Sequence, residues 1–343
     1  MTLNPATLTP RDIPVYRSVS EIAAGFGPCV AAIGNFDGVH LGHRAILSSV
    51  VEEARVLGVR SIAITFDPHP AQFLRPNRAP VLLTEICGRV KLLAATGVDA
   101  VLVLPFDAEL AAMPAEKFVR EILVDALGVR GLHEGGNFHF GHGARAGVSE
   151  LKAFGAGFGF SVHVHKSVSV RGLEVSSSAI RALVAAGDVR RARWMLGRPF
   201  GVRSTQARGR GVGTKLLVPT VNLAPYAGLL PGFGVYVTRL TVTPQRQGPV
   251  AGGPGVQTPE GGRCFQAVTN VGNRPTFEGV GFGVETHILN FEPVEIDEET
   301  PIELEFLMRL RGEMKWPSPE ALKAQIFKDV ARAKRFFRLA EQE

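Results

Sequence analysis

The stretch from Ile33 to His43 constrains the fold of this chain more than any other. It follows a short apolar run and precedes an amphipathic helical pattern, with glycines between the two. A strand, a glycine turn and a helix in that order present backbone N–H groups and the positive end of a helix dipole to an anion. His40 and His43 add two imidazoles at the turn, and Gly42 leaves room for a phosphate to approach the backbone. The stretch therefore predicts a phosphate-binding turn.

The segment His40-Leu41-Gly42-His43 resembles the HxGH signature of the nucleotidylyltransferase superfamily. The alternative is that both histidines are ordinary turn or helix-cap residues, because four-residue motifs recur by chance. The strand before the motif and the helix after it favour the nucleotide site. On the resemblance, the nucleotide-binding residues of the turn are Gly34, Asn35, Phe36, Asp37, Gly38 and Gly42.

A length of 343 residues suits two domains of roughly 150 residues each. A hydrophobic content of 45% and a charged content of 20% are typical of a globular protein and exclude a disordered one. No apolar run approaches the roughly 20 residues that span a bilayer, and residues 1–14 have no secretory pattern and are expected to form a flexible tail. The three cysteines lack metal-ligand spacing and favour a reducing cytoplasm, and the net charge of +6 suits anionic partners such as nucleotides.

Strand-like and helix-like segments alternate in the first half, which predicts a Rossmann-like parallel sheet with helices on its faces. The predicted strands are Val30 to Ile33, Ser61 to Phe66, Val101 to Leu104 and Ser161 to Val168. The predicted helices are Arg44 to Leu57, Cys87 to Thr96 and Pro114 to Leu127.

Three further loops carry residues capable of chemistry. The first, Phe66 to Pro70, has two prolines that fix the backbone and argue against helix. The second, Gly135 to Gly141, combines glycines with aromatic rings, which suits either a core turn or stacking on a planar ring. The third, Val175 to Arg181, has a serine run that caps a following helix and also suits a triphosphate.

The second half changes character after Leu196 to Phe200, where glycine and proline end a helix. Short alternating segments between turns then predict a small antiparallel β-barrel with one closing helix. The predicted strands are Tyr236 to Val242, Phe265 to Val271, Val284 to Phe291 and Ile302 to Leu310, and the helix is Pro319 to Leu339.

These motifs, in this order, resemble the bacterial bifunctional riboflavin kinase/FAD synthetases. The first half carries GNFDGVHLGH, TFDPHP, GNFHFG and VSSSAIR, and the second carries PTVNL, GVY, TNVGNRPTF, VETH and RLRGE. Three departures stand out: the usual Ser-Ser-Thr reads Ser176-Ser177-Ser178, Ala179 replaces a frequent arginine, and Leu217-Val218 replaces the usual Gly-Phe.

The resemblance implies an FMN adenylyltransferase domain over residues 15–198 and a riboflavin kinase domain over residues 199–343. Riboflavin would be phosphorylated to FMN and FMN adenylylated to FAD, with ATP as co-substrate and Mg²⁺ as cofactor. Riboflavin, FMN, FAD and ATP are then the partners, without nucleic acid or membrane, and the oligomeric state stays open.

For the kinase step the resemblance implies Glu285 as the base beside the riboflavin 5′-hydroxyl. Thr220 and Asn222, two apart on an extended segment, would direct oxygens at Mg²⁺. Arg311 and Glu313 would contact the flavin. The residues expected at the ATP phosphates are Arg208, Gly209, Arg210, Gly211 and Gly213.

The adenylyl step needs no base, because its nucleophile is the phosphate of FMN, already an anion at neutral pH. His40 and His43 would hold the ATP phosphates, and Asn137 would position the α-phosphate. The residues expected at the departing pyrophosphate are Ser177, Ser178 and Arg181. Those expected along the flavin pocket are Phe66, Asp67, Pro68, Pro70 and Phe140.

Two other functions fit parts of the sequence. One is an adenylyltransferase for another phosphorylated small molecule, with the barrel as a binding module only. The other is a nucleic-acid-binding protein that uses the glycine–arginine loop 208–213, against which the basic residues form no long stripe.

Overall fold

The computed structural model describes residues 12–22, 26–207, 220–243, 256–257, 262–276, 279–289 and 299–340. The chain divides by internal packing into two compact units, Met1–Ser177 and Ser178–Glu343. The predicted tail over residues 1–14 falls largely outside the described residues. The predicted domain boundary at residue 198 stays a prediction.

The first unit is built on a parallel sheet of six strands in the order β1-β4-β3-β2-β5-β6. The strands are β1 Val15–Tyr16, β2 Cys29–Ile33, β3 Arg60–Asp67, β4 Ala100–Pro105, β5 Val129–Gly135 and β6 Ser161–His165. The chain order reverses between β2 and β5, and open parallel sheets bind ligands beyond the carboxyl ends of the strands at such a point. The loops that follow β2 and β5 therefore flank the expected crevice.

Helices cover both faces of this sheet. They are α1 Leu41–Leu57, α2 Pro70–Leu74, α3 Ile86–Ala94, α4 Ala108–Ala112, α5 Ala115–Phe118 and α6 Val148–Phe158, with a π-helical segment Val119–Ala126 and 3₁₀ turns at Val19–Glu21, Pro76–Arg78 and His142–Ala144. A small hairpin, β7 Ser169–Val170 and β8 Leu173–Glu174, follows β6. All five residues of β2 are buried, and they alternate between two apolar cores, one on each face. This double burial explains why β2 is a continuous apolar run.

The predicted strands and helices of the first half all occur, with ends shifted by a few residues. The elements that were not predicted include the inner strand β5 and helix α6. The expectation that two prolines exclude helix after Phe66 is wrong from Pro70 onward. Pro70 is the first residue of α2, where the missing N–H costs nothing.

The second unit is an antiparallel barrel preceded by α7 Ser177–Ala185, whose first residue belongs to the first unit, and α8 Val189–Leu196. Its strands are β9 Phe200–Ser204, β10 Thr220–Asn222, β11 Gly234–Val242, β12 Val256–Gln257, β13 Arg263–Thr276, β14 Gly279–Ile288 and β15 Ile302–Gly312. The strand order is β10-β14-β13-β11-β15-β9, with β12 on β13. Beyond the two edge strands, Gln206 pairs with Leu223 and the Ala207 N–H donates to the Asn222 carbonyl at 2.8 Å, which closes the sheet.

The closing helix, α9 Pro319–Ala340, packs its Ala333 and Phe337 against Val235 and Val237 of β11. Within the barrel, buried threonine hydroxyls form a chain across the strands. Thr269 Oγ1 lies 2.8 Å from that of Thr238 and 3.0 Å from that of Thr286. The predicted antiparallel barrel with one C-terminal helix is confirmed.

The helices α7 and α8 pack with the barrel. Arg309 donates to the carbonyl of Ala186 at 3.2 Å, and the Gly232 N–H donates to the carbonyl of Val184 at 3.1 Å. Both acceptors lie at the end of α7.

Candidate active sites

The turn after β2 is held in shape by its own side chains. The Asp37 carboxylate, which is 1% exposed, accepts the N–H groups of Leu83 and Thr84, each at 3.0 Å. The Thr84 hydroxyl donates to the same carboxylate at 3.2 Å and accepts the Gly38 N–H at 3.0 Å. Phe36 adopts a left-handed conformation, with φ of 46°. Asp37, predicted to contact the nucleotide, thus joins the turn to the 83–84 segment through its side chain.

The two histidines of the motif form one stacked unit at the start of α1. Their ring centroids are 3.6 Å apart with 17° between the planes. His40 is the N-cap of α1, and its Nδ1 accepts the His43 N–H at 3.3 Å, which places the proton of the neutral ring on Nε2. A Cβ on Gly42 would lie 3.2 Å from the His40 ring, so glycine gives that ring its room. His40 therefore caps α1, as the alternative interpretation expected. Phosphate binding by His40 and His43 stays a prediction.

The serine run meets this turn. Ser177 begins α7, and its hydroxyl donates to the carbonyl of Asp37 at 2.9 Å. Ser178 follows it on α7, and Arg181 lies one turn further along the helix. Ser177 therefore lies next to the motif, and capping of α7 by the serine run stays a prediction.

The loop after β5 is the second of the two loops that flank the expected crevice. Asn137 is exposed, and its carbonyl lies 2.9 Å from Nδ1 of His139. Phe140 is 9% exposed, stacks on Phe138 at 5.4 Å and packs against Phe118 at 6.1 Å. Phe140 is therefore a core residue, and its predicted flavin contact has no direct support.

The loop after β3 depends on a residue that the sequence did not single out. Arg89 on α3 is 1% exposed and donates to the carbonyls of Phe66 at 3.2 Å and Thr84 at 3.4 Å. Burial lowers the pKa of Arg89, and the carboxylates of Asp37 and Asp67 oppose that shift. The signal available in the sequence was an arginine within the largely apolar helical pattern over Cys87 to Thr96. Arg89 links the loop after β3 to the segment that anchors the turn after β2.

Glu134, also missed, is buried at the end of β5. One of its carboxyl oxygens accepts the Ile33 N–H at 2.6 Å. Burial raises the pKa of Glu134 well above its ordinary value, and the bond from Ile33 only partly opposes this. The Glu134 carboxyl group thus joins β5 to the residue that precedes the motif.

In the second unit, the strand register brings the predicted kinase residues together. β10 pairs with β14 so that Asn222 lies opposite Glu285 and Thr220 lies opposite His287. Directly opposed residues of an antiparallel pair share one face of the sheet. All four are half-buried, whereas Val221 and Thr286 between them are buried. On the other side of β14, Glu285 lies opposite Asn270 of β13, which the sequence did not identify as a site residue.

The predicted flavin residues at the end of β15 differ in their surroundings. The Arg311 guanidinium donates to the buried Asp329 carboxylate at 2.9 Å and lies 5.4 Å from the Trp316 ring centroid. A Cβ on Gly272 would lie 2.9 Å from Oε1 of the exposed Glu313 and 3.5 Å from Nδ2 of Asn270. Glu313 therefore lies near the strand that flanks Glu285. The predicted phosphate loop, Arg208, Gly209, Arg210, Gly211 and Gly213, and the Leu217-Val218 departure lie outside the described residues.

Comparison with known proteins assigns a family model to each half. Residues 24–179 match the FAD synthetase model and residues 196–337 match the riboflavin kinase model. The chain is 36% identical over 321 residues to a bifunctional riboflavin kinase/FMN adenylyltransferase of Pseudomonas fluorescens, covering 93% of this chain and 96% of the relative. It is 32% identical over 314 residues to the protein of the same description from Escherichia coli strain K12, covering 91% and 94%.

A solved structure of a macrolide-efflux protein from Streptococcus pneumoniae superposes with a TM-score of 0.79 at 24% identity, covering 93% of this chain and 98% of the other. At that identity the likeness establishes the common fold alone. Among the described residues, none of the helices has the length and apolar content that crossing a bilayer requires.

Proposed function

The chain belongs to the bifunctional riboflavin kinase/FMN adenylyltransferase family, and on that premise we propose how its residues divide the two reactions. It phosphorylates riboflavin with ATP to give FMN, and it transfers the adenylyl group of a second ATP to FMN to give FAD and pyrophosphate. The observation that carries the division is the presence of two separate polar constellations, one in each unit: the stacked His40 and His43, and the opposed Asn222 and Glu285.

In the kinase step the ribityl 5′-hydroxyl attacks the γ-phosphate of ATP, and ADP leaves. The Glu285 carboxylate accepts the proton of that hydroxyl as the new O–P bond forms. Its position supports this role, because Glu285 lies on the half-buried face that carries Asn222 and His287.

The donor atoms beside Glu285 fit Mg²⁺. The Thr220 hydroxyl and the Asn222 amide oxygen lie on the same face, and hard oxygens are the ligands that Mg²⁺ takes. When bound there with ATP, the ion would neutralise negative charge on the phosphates. We propose Thr220 and Asn222 as its protein ligands.

In the adenylyl step the FMN phosphate attacks the α-phosphate of ATP, and pyrophosphate leaves. His40 and His43 hold the ATP phosphates at the start of α1, where the helix dipole also favours negative charge. Asn137 positions the α-phosphate from across the crevice. Ser177, bonded to the Asp37 carbonyl, contacts the departing pyrophosphate, and Ser178 and Arg181 follow it on α7 in the same role.

The remaining assignments rest on the motifs. The flavin contacts proposed are Phe66, Asp67, Pro68, Pro70 and Phe140 for FMN adenylylation and Arg311 and Glu313 for riboflavin. The turn residues Gly34, Asn35, Phe36, Gly38 and Gly42 and the 208–213 loop are proposed to contact ATP. A cytoplasmic location is proposed because Cys29, Cys87 and Cys264 form no disulfide.

Separation of flavins after incubation of the full chain with riboflavin, Mg²⁺ and ATP tests the proposal. We expect FMN first and FAD second, with pyrophosphate released in proportion to FAD. A second incubation with FMN and ATP tests the adenylyl step alone. Absence of both products would overturn the proposed function, and FMN without FAD in both incubations would restrict it to the kinase.

A further inference from the structure

A cluster of three histidines and one glutamate lies in the first unit, and neither reaction uses it. His133 on β5 lies in register with His163 on the neighbouring parallel strand β6. His165, two residues further along β6, shares the face of His163 because side chains alternate along a strand. Glu53 on α1 reaches the same face. None of the four belongs to the motifs that define the two reactions.

The polar atoms of the cluster converge on one carboxylate. Oε2 of Glu53 lies 2.5 Å from Nε2 of His133 and 3.2 Å from Nε2 of His163. One ligand atom from each of these three residues lies within 4.8 Å of the other two. Nδ1 of His133, the other ring nitrogen, lies 2.9 Å from Nε2 of His165.

The β5 backbone leaves room for the Glu53 carboxylate to approach the strand. A Cβ at Gly131 would lie 2.6 Å from Oε1 of Glu53, so a larger residue there would make the carboxylate shift away from β5. The Ser161 hydroxyl donates to the same oxygen at 3.3 Å. Glu53 is therefore held over the strands by local packing.

We propose that Glu53, His133 and His163 bind a divalent transition-metal ion, with Zn²⁺ as the expected occupant and His165 as the residue that orients His133. Two imidazoles and one carboxylate form a donor set that zinc takes in proteins, with ligand distances of roughly 2.0–2.2 Å and an open position for water. Ligands at that distance in a tetrahedron lie roughly 3.3 Å apart. The distance from Oε2 of Glu53 to Nε2 of His163 already matches this value. The distance from the same oxygen to Nε2 of His133 needs to lengthen by less than roughly 1 Å.

The chemistry of the histidines suits a metal. A metal takes the neutral imidazole, in which one ring nitrogen carries the proton and the other binds the ion. With Nε2 on the ion, the ring proton lies on Nδ1, and His165 Nε2 is placed to accept it, as partners of metal-bound imidazoles do. The His163 side chain is 47% exposed, which gives the ion a path from solvent.

The donor set separates this site from the proposed Mg²⁺ site. Mg²⁺ prefers oxygen ligands, whereas imidazoles favour zinc and its neighbours in the first transition series. The site joins α1, whose N-cap is His40 and whose first turn carries His43, to β5 and β6. We therefore expect bound zinc to stabilise the first unit.

Calorimetric titration of the full-length chain with Zn²⁺ tests the site, after chelator treatment and exchange into buffer with millimolar Mg²⁺. We expect the wild type to bind one equivalent of zinc more than His163→Ala. Glu53→Gln should lose the same equivalent, and His165→Ala should weaken it by about 10- to 100-fold. The matched control is His142→Ala, which removes another exposed histidine of the first unit and should bind zinc as the wild type does.

Thermal unfolding supplies a second readout. Zinc should raise the unfolding temperature of the wild type and of His142→Ala, and it should leave that of His163→Ala unchanged. Circular dichroism checks that each variant is folded, and because the His163 side chain is exposed its removal spares the core. Equal zinc stoichiometry and affinity in the wild type and His163→Ala would overturn the proposal, and the cluster would then be a hydrogen-bonded network only.

Discussion

At the residue scale, Glu285 differs from other glutamates of the barrel by what lies opposite it. Asn222 is its partner on β10 and Asn270 is its partner on β13, so a residue with an amide side chain lies directly opposite it on each neighbouring strand. Glu303, by contrast, lies opposite Arg203 and pairs with it at 2.9 Å. The role of Glu285 as the base stays a prediction.

Replacement of Glu285 by glutamine should therefore abolish riboflavin phosphorylation and spare FMN adenylylation. An amide retains the shape but accepts no proton, and loss of a general base typically costs about 10²- to 10⁴-fold in rate. Initial rates of FMN formation from riboflavin, and of FAD formation from added FMN, measure the two effects. Glu320→Gln, at an exposed glutamate in the first turn of α9, is the control and should keep both rates. Normal phosphorylation by Glu285→Gln would remove this residue from the role of base.

Glu134 makes the stability of the first unit depend on pH. Its pKa is raised in the folded state, so the folded protein binds more protons than the unfolded chain once pH exceeds the ordinary glutamate value. Stability from this group is complete below the unfolded pKa and is lost as pH rises toward the folded pKa. The slope is at most about 1.4 kcal/mol per pH unit.

We expect Glu134→Gln to remove this slope, because its amide oxygen still accepts the Ile33 N–H without a charge to bury. Thermal unfolding midpoints measured across a pH series should fall with pH more steeply in the wild type than in the variant. The advantage of the variant should grow as pH rises. Parallel curves for the two proteins would contradict the prediction.

The residues of the two sites were predictable to different degrees. The common face of Glu285 and His287 follows from alternation along one strand. Their position opposite Asn222 and Thr220 follows from no local rule, because a register between distant segments is fixed by the whole sheet. The hydrogen bonds that the N–H groups of Leu83 and Thr84 donate to Asp37 also join segments that are distant in sequence. No pattern in either segment predicts these bonds.

At the element scale, one methyl group added at the start of α1 should impair FMN adenylylation and spare riboflavin phosphorylation. A Cβ at Gly42 would meet the His40 ring at 3.2 Å, so Gly42→Ala should displace that ring from its stack on His43. We expect FMN adenylylation to fall by at least about tenfold, since misplaced positioning groups raise the barrier. Riboflavin phosphorylation should stay normal.

Gly157→Ala is the matched control. Gly157 lies in α6, where an added Cβ meets nothing within 4 Å. Alanine there should leave adenylylation unchanged and raise helix stability by up to about 1 kcal/mol. Adenylylation rates of the two alanine variants, compared side by side, decide the point: equal rates would show that the position of His40 is unimportant.

Elements were predictable where the hydrophobic pattern of the segment itself indicates which of its residues are buried. β2 is apolar throughout because both of its faces are covered, and α1 follows a glycine turn. β5 was missed because it carries Arg130, His133 and Glu134, and the partners of the last two, Glu53 and Ile33, are not revealed by the local sequence. The helix predicted over Pro114 to Leu127 is continuous in sequence, but its second part widens to a π-helix.

At the scale of the whole molecule, the two polar constellations lie in separately packed units, and FMN is the product of one and the substrate of the other. Each reaction has its own binding residues in this assignment, so release of FMN into solution is sufficient for FAD synthesis. Covalent linkage of the units does not by itself require that FMN stay on one chain.

A mixture of two single-site variants tests this directly. Gly42→Ala should make FMN from riboflavin with little FAD, and Glu285→Gln should make neither product from riboflavin because it has no FMN to adenylylate. Mixed in equal amounts with riboflavin, Mg²⁺ and ATP, they should form FAD after a lag during which FMN accumulates, because FMN released by the first variant reaches the intact adenylylation site of the second. The lag should shorten when FMN is added at the start. If the mixture made no FAD while each variant retained its partial reaction, FMN would have to pass between sites of one chain without release.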